Sequence, residues 1–304
     1  MFKYSPIVLF VYSRYDHTKA TIEALKNNKL ASESELFIFS DGFRNEQDKP
    51  GVLAVRSLIE NISGFKKVTV IERSSNHGLA KNIQLGVTDI IKNSGRVIVM
   101  EDDIVTSPHF LLFMNENLVR YKDIDRVWHI SGWNYPIETE GLPGSFLWRG
   151  MNCWGWGTWE NRWDKFEKNP QRLVSQWSVD DISRFNLDNS YPFWKQVIAN
   201  NSGKINTWAI FWYATIFENK GLCLNVSQSL VDNIGLDGSG ENCSSSSNFY
   251  RTEVTTAKYR HGQTIPLVEN VAALGKIKKY CINNKPSFIS RVINRSKKII
   301  RKLK

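Results

Sequence analysis

Residues 96 to 103 read Arg-Val-Ile-Val-Met-Glu-Asp-Asp, and the three adjacent carboxylates are the residues here best suited to chemistry. Val97 to Met100 is a short unbroken apolar run, the pattern of a strand buried on both faces of a parallel sheet. Glu101, Asp102 and Asp103 follow at once. Three acids at the end of a buried strand repel one another unless a cation or hydrogen-bond donors compensate. A hard divalent cation held by oxygen ligands, with a ligand's phosphates completing its shell, would account for the cluster. The alternative is a solvated acidic turn.

The elements that must position these acids lie upstream. Pro6 to Tyr12 reads as a first strand, ending in Ser13 and Arg14. Asp16 can cap a helix over His17 to Asn27, with Ala20, Ile22, Ala24 and Leu25 as its apolar positions. Leu36 to Phe39 is a second strand, ending in Ser40-Asp41-Gly42, and Gly51 to Asn61 suits a second helix with Val52, Val55, Leu58 and Ile59 on one face. Val68 to Ile71 is a third strand, and Asn76 to Asn82 leads into a helix ending near Lys92. This βαβαβαβ order predicts a mostly parallel sheet with right-handed crossovers. Open α/β sheets bind ligands outside the carboxyl ends of their strands. Arg14, Asp41, the Asn76 to Asn82 loop and Glu101 to Asp103 all follow strands, so they are expected to converge on one ligand.

All eleven tryptophans lie between Trp128 and Trp212, so the middle of the chain has a different task from the first 127 residues. The densest stretch is Cys153-Trp154-Gly155-Trp156-Gly157-Thr158-Trp159-Glu160-Asn161-Arg162-Trp163. Indole presents flat apolar faces and one N–H donor. Sugar rings offer C–H faces edged with hydroxyls, so Trp-rich loops suit carbohydrate stacking. The glycines beside Trp154 and Trp156 permit backbone shapes that other residues resist. Trp is bulky and often largely buried, so more than half are expected in the core, with Trp154 and Trp156 exposed.

A chain of 304 residues suits one large α/β domain or two smaller ones, and 41% hydrophobic residues suffice for a sizeable core. Ile7 to Tyr12 is too short for a signal peptide, and no stretch approaches the roughly 20 apolar residues of a membrane span. Cys153, Cys223, Cys243 and Cys281 lie far apart without metal spacing and read as reduced thiols of a cytosolic protein, with Cys153 and Cys223 in the core. The net charge of +10 is concentrated at one end. Residues 276–304 hold eleven Lys or Arg and no acid, which leaves 29 basic and 30 acidic side chains before them. The near-neutral body gives no support for nucleic-acid binding. In the tail, Phe288, Ile289, Val292, Ile293, Ile299, Ile300 and Leu303 recur at helical spacing among Arg291, Arg295, Lys298 and Lys302. That pattern predicts a basic amphipathic helix drawn to an anionic membrane surface through residues 285–304, or else a helix packed on the body.

No Gly-x-Gly-x-x-Gly follows the first strand, which argues against a dinucleotide-binding domain, and the absence of Gly-x-x-x-x-Gly-Lys-Ser/Thr excludes a P-loop. A sugar-nucleotide nucleotidyltransferase would need a Gly-rich signature where this chain has Tyr12-Ser13-Arg14-Tyr15. Over roughly residues 5 to 245 the features resemble a glycosyltransferase of the GT-A fold. The first half is most similar to the N-acetylglucosaminyltransferase I family and the bacterial polysaccharide transferases like it. The resemblance implies an α/β, Rossmann-like, mostly parallel sheet flanked by helices in a single large domain. Residues 1–105 would be its nucleotide-sugar half, 106–265 its acceptor half and 276–304 the basic tail. Glu101-Asp102-Asp103 would stand as the family's Asp-x-Asp motif, with Asp103 the direct Mn²⁺ or Mg²⁺ ligand and Glu101 and Asp102 facing the donor ribose and sugar. Arg14 and Asp41 would hold the nucleotide, Asp41 near the uracil. Asn76 to Asn82 resembles the family's Asn-x-Gly loop, in which Lys81 would pair with the diphosphate. Trp154 to Gly157 resembles the acceptor-side loop of β-galactosyltransferases, which assigns Trp154 and Trp156 to the acceptor.

In the N-acetylglucosaminyltransferase I pattern a Trp-Asp pair supplies the base, and the counterpart here is Trp208-Ala209, without a carboxylate. The segment Asn233 to Cys243 resembles a closing loop of related bacterial enzymes, with Asn242 where some of those carry His. An inverting enzyme needs a base within reach of the acceptor hydroxyl. The candidates are Glu160, then Asp237 and Glu241; Glu160 could equally be a solvated helix acid and Asp237 a turn residue. A retaining mechanism would not need that base. The expectation is a metal-dependent transferase that moves sugar from a UDP-sugar to a glycan or lipid-linked acceptor in bacterial surface polysaccharide assembly. It would sit on the cytoplasmic face of the plasma membrane. The rivals are a nucleotidyltransferase and a catalytically inactive sugar-binding scaffold.

Overall fold

Four apolar runs become adjacent parallel strands because helices can cover them on both faces. The computed structural model describes residues 3–237, 248–255, 262 and 265–284. Strands β1 (Ile7–Val11), β2 (Glu35–Ser40), β3 (Lys67–Glu72) and β4 (Arg96–Glu101) alternate with helices α1 (Tyr15–Lys26), α2 (Lys49–Ile59) and α3 (Leu79–Ser94). Every residue of β1 is buried, as a strand with both faces covered must be. Helix α3 buries Ala80, Ile83, Val87 and Ile91, positions that share one face of a helix. Helix α1 begins before the expected cap: Arg14 takes the N-cap position, and Asp16 lies in the first turn, where the helix dipole favours an acid. Helix α2 also starts early, because Pro50 fits a first helical turn.

The chain then makes β5 (Ile104–Thr106), α4 (Phe110–Arg120), β6 (Val127–Ser131), β7 (Ser145–Trp148) and β8 (Trp156–Trp159). Five helices follow: α5 (Glu160–Trp163), α6 (Pro170–Gln176), α7 (Val179–Phe185), α8 (Trp194–Asn201) and α9 (Ala209–Glu218). Strands β9 (Leu222–Val226) and β10 (Val231–Asn233) and helix α10 (Val271–Asn283) complete the described elements. One eight-stranded sheet has the order β3-β2-β1-β4-β8-β6-β9-β7. β8 is antiparallel to both of its neighbours and β7 is antiparallel to β9. The remaining six strands point one way, so the α/β class with a mostly parallel sheet, flanked by helices in a single domain, is as expected. A separate antiparallel ribbon pairs β5 with β10, Ile104 opposite Asn233.

Eight of the eleven tryptophans are buried, which makes them mainly core residues. Trp156 is 0% exposed and stacks on Trp208 and on His129, with ring centroids 5.2 Å and 5.3 Å away. His129 Nδ1 accepts from Trp212 Nε1 at 3.1 Å, and burial drives its pKa down to about 3, so the column around Trp156 is uncharged. Cys223 and Cys281 are buried and Cys153 is partly buried. No helix among the described residues is long and apolar enough to cross a membrane. The predicted tail helix over 285–304 lies outside the described residues.

Candidate functional site

Strand order places a crevice where the charged residues are. From β1 the chain moves outward to β2 and β3, then returns to place β4 on the other side of β1. That reversal is the switch point at which open α/β sheets bind ligands. Arg14 follows β1 and Glu101 to Asp103 close β4, so they face each other across it. A cavity of about 620 Å³ opens here.

The guanidinium of Arg14 bridges two of the acids. Its Nη2 donates to Asp102 Oδ1 and, at 2.7 Å, to Asp103 Oδ2. Burial acts against the Arg14 charge, but the two carboxylates outweigh it and hold the pKa above its ordinary value. One cation does not balance three acids. Burial first, then the charges of Asp103 and Asp102, push Glu101 up to about 8. Burial, with Asp103 adding and Arg14 opposing, raises Asp102 to about 6. Asp103 Oδ1 and Arg14 Nη1 are both buried without a hydrogen-bond partner. A buried carboxylate oxygen left unpaired costs about 1 to 3 kcal/mol or more, so it is a place for a ligand.

The ribbon β5–β10 closes this site from the far side of the sequence. Ile234 donates its N–H to Asp103 O at 2.9 Å, and the turn Ile234–Asp237 then lies against the acids. Gly235 is needed there for space: a methyl group would overlap Asp103 Oδ2 and lie 2.7 Å from Arg14 Nη1.

Asp41 lies in the cavity wall with 4% exposure. Its carboxylate accepts the backbone N–H groups of Gly42 at 3.0 Å, His77 at 2.9 Å and Gly78 at 2.9 Å. It therefore fastens the loop after β2 to the loop after β3. Asn76 reinforces that junction through Gly42 O at 2.6 Å. Asn82 also lines the cavity, with Arg73 Nε 3.4 Å from its Oδ1, whereas Lys81 is exposed and outside the lining.

The opposite wall is aromatic: Trp133 and Tyr135 after β6, Trp154 before β8, Trp208 and Tyr213 at α9, and Tyr250. Trp133 packs edge-on against Trp154, centroids 4.7 Å apart, and Tyr250 packs on both. Trp154 thus stands where a ligand could touch it. Trp156 does not: it is inside the sheet, and its expected role as an acceptor platform is corrected to core packing.

Glu160 needs the same correction. β8 runs against β4 with Trp159 opposite Arg96, so Glu160 emerges at the start of β4, where its N–H donates to Gly95 O at 3.0 Å. Six residues at a rise of roughly 3.3 Å separate that end from Glu101, a span of roughly 17 Å. Asp237 sits at the rim, 3.2 Å from His17 Nε2, and is outside the lining, although Asn233 and Leu236 of the same segment line it. Glu241 lies outside the described residues. Among the described residues, all carboxylates lining the cavity (Asp41, Asp48, Glu101, Asp102, Asp103) belong to the β1–β4 side, and Ala209 is in the aromatic wall.

The sequence reading missed Trp133, Tyr135 and Tyr250. Trp133 and Tyr135 follow strand β6 at its carboxyl end, so the rule that found Asp41 would have found them. Nothing local marks Tyr250.

The residues present fit a hard divalent cation in one way. Among the described residues no group of three or more His, Cys, Asp or Glu side chains forms a metal cage. Asp103 Oδ1 is the unpaired oxygen, and one or two carboxylates completed by ligand phosphates is a common manner of holding Mg²⁺.

No protein-family model matches the chain. No curated protein matches it in sequence. Among solved structures, S. aureus TarS aligns with a TM-score of 0.29 and 13% identity over 41% of this chain and 21% of that chain. The chain thus spans about a fifth of the length of TarS. The mannosyltransferase PcManGT from Pyrobaculum calidifontis, in complex with GDP-Man and Mn²⁺, aligns with a TM-score of 0.36 and 8% identity over 71% of this chain and 70% of that chain. At such scores neither structure carries an argument about this one, and its function has to be read from its own residues.

Proposed function

We propose that this chain is a metal-dependent glycosyltransferase of GT-A type that takes its sugar from a UDP-sugar. The observation that supports this reading most is the unpaired, buried Asp103 Oδ1 beside Arg14 at the switch point, in a cavity whose other wall is aromatic. An acid-rich crevice accepts a nucleoside diphosphate only together with a cation, and an aromatic wall suits sugar rings. Bound Mn²⁺ or Mg²⁺ would neutralise the diphosphate as it leaves. The chain's own residues do the rest. Asp103 would hold the cation through Oδ1. Arg14, drawn from its carboxylates, can donate to phosphate oxygen, and Glu101 and Asp102 can accept from ribose and sugar hydroxyls. Asp41 and Asn76 keep the loop over the nucleotide in shape, and Trp154 offers its ring to the acceptor. In the transfer, the bond between the anomeric carbon and the phosphate oxygen breaks and one to an acceptor oxygen forms. The acceptor proton leaves to a base.

Release of UDP from a panel of UDP-sugars, with Mn²⁺ and with EDTA, tests the reading. Metal-dependent release from one donor supports it. Silence across the panel, with no UDP binding by calorimetry, overturns it. A second reading, a sugar-binding scaffold, is favoured by Ala209 and by the lack of a carboxylate in the described part of the aromatic wall. UDP binding without turnover in any acceptor mixture would select it.

The acceptor would be a glycan or a lipid-linked saccharide in bacterial surface polysaccharide assembly, met at the cytoplasmic membrane face through the basic residues 285–304. Co-sedimentation with phosphatidylglycerol vesicles, lost on deletion of 285–304 and in high salt, is the expected result. Binding that survives the deletion excludes the tail as the anchor.

A further inference from the structure

A second cavity of about 610 Å³ lies at the other edge of the sheet. It opens where β6 and β9 begin and β7 ends, since Arg126 precedes β6, Lys220 and Gly221 precede β9 and Arg149 follows β7. It is therefore separated from the first cavity by the length of the strands. Trp177 and Phe217 give it an aromatic wall.

Its charges do not balance. Three acids line it, and each is engaged within the protein. Asp181 accepts the N–H of Ser178 at 3.0 Å and its hydroxyl at 2.6 Å, half of the capping box of α7. Glu218 accepts both terminal nitrogens of Arg172 at 2.9 and 2.8 Å and Trp177 Nε1 at 3.0 Å. Glu269 accepts the N–H of Arg149 at 3.1 Å. Four cations line the same space: Arg126, Arg149, Arg184 and Lys220. Arg149 is 8% exposed and donates to Asp188 at 2.8 Å, yet its Nε, 3.3 Å from Glu269 Oε1, makes no hydrogen bond. Among the described residues, no carboxylate pairs with the side chain of Arg126, Arg184 or Lys220.

Lys220 adds a backbone argument. Its φ is 54°, a left-handed conformation that costs a non-glycine residue roughly 1 to 2 kcal/mol. Glycine would be the relaxed choice at this end of α9, and it would remove a charge from the cavity rim.

Size and chemistry narrow the ligand. A water molecule's share of liquid volume is roughly 30 Å³, so a lone inorganic anion would leave this cavity mostly empty. Cations set around an aromatic wall suit a sugar ring that carries a negative group. We infer that this cavity binds an anionic carbohydrate, uronate- or phosphate-bearing, at a site separate from the proposed transfer site and independent of that assignment.

Calorimetry on the full chain tests it with trigalacturonate, galactose 1-phosphate, neutral maltotriose and inorganic phosphate. The comparison protein is Arg126→Gln/Arg184→Gln/Lys220→Gln, with Lys220→Gly as a milder variant that relaxes the backbone. The expected result is binding of an acidic saccharide and not of maltotriose, weakened roughly tenfold or more in the triple variant. UDP release should be unchanged in both variants. Affinity for trigalacturonate against galactose 1-phosphate tells which charged group the site prefers. Equal binding by wild type and both variants overturns the inference, as does maltotriose binding as tightly as the acids. Inorganic phosphate binding as tightly as either saccharide overturns the carbohydrate assignment, and no binding by any acidic saccharide overturns the site itself.

Discussion

On the β1–β4 side of the first cavity, polar side chains carry valences that the protein leaves open. Asp102 and Asp103 share one guanidinium with Glu101 beside them, and Asp103 Oδ1 and Arg14 Nη1 lack partners. On the aromatic side the polar ring atoms are neutral: Tyr250 meets the hydroxyl of Tyr191, Tyr213 donates to Phe185 O at 3.0 Å, and Trp133 Nε1 is buried without a partner. The first wall presents open charged groups, whereas the second presents neutral aromatic shape. Affinity for charge and the means of chemistry should therefore reside on one side, and fit to an uncharged partner on the other.

The strongest attack on this contrast is Asp103→Ala. Losing the cation ligand should lower metal-dependent UDP release by about a thousandfold, several kcal/mol of charge stabilisation. The fold should survive, with circular dichroism unchanged. An active Asp103→Ala protein would remove the metal from the charged wall. Gly235→Ala comes next. Its methyl group is forced onto Asp103 and Arg14, so overpacking of about 1 to 3 kcal/mol should appear as a lower Tm and a higher KM for the donor. A Tm and KM equal to wild type would mean that the turn Ile234–Asp237 does not hold the acids.

A smaller effect is expected with pH. A carboxyl whose pKa is raised on folding binds its proton more tightly in the folded chain, so stability falls as pH rises between its unfolded and folded values. Glu101, raised from 4.5 to about 8, acts in this direction. Asp102 does so only up to about 6, and buried His129, lowered from 6.5 to about 3, acts oppositely below 6.5. Between about 6.5 and about 8 the opposing effect of His129 is gone and that of Glu101 persists. In EDTA, Tm should fall across that span, and Mn²⁺ should flatten the fall. A Tm that rises there would contradict the account of the acid cluster. The smallest effect tests the aromatic wall: Tyr250→Phe removes one hydroxyl pair, worth about 1 kcal/mol, and should lower Tm by about 2 °C without changing UDP release.

The charged wall was read from the sequence and the aromatic wall only at Trp154, for a physical reason. Strands β1 to β4 alternate with amphipathic helices, so local periodicity gives their order, and the carboxyl-end rule then gathers Arg14, Asp41, Asn76 and Asp103. Past residue 104 the pairings are distant and reversed. Trp154 to Gly157 read as an acceptor-side loop with Trp154 and Trp156 exposed, but Trp156 and Gly157 are buried in a strand between β4 and β6. Reversing that strand moved Glu160 to the wrong edge. Periodicity also could not show that β10 would return to β5 and lay Gly235 on the acids.

Strand β8 has a consequence for biosynthesis. It sits between β4 and β6, yet the ribosome makes it after both. Until residue 159 has left the exit tunnel, the apolar edge of β4 has no partner, and such an edge recruits other chains. Fragments that end before residue 156 should therefore aggregate, while those that include β8 gain a covered β4.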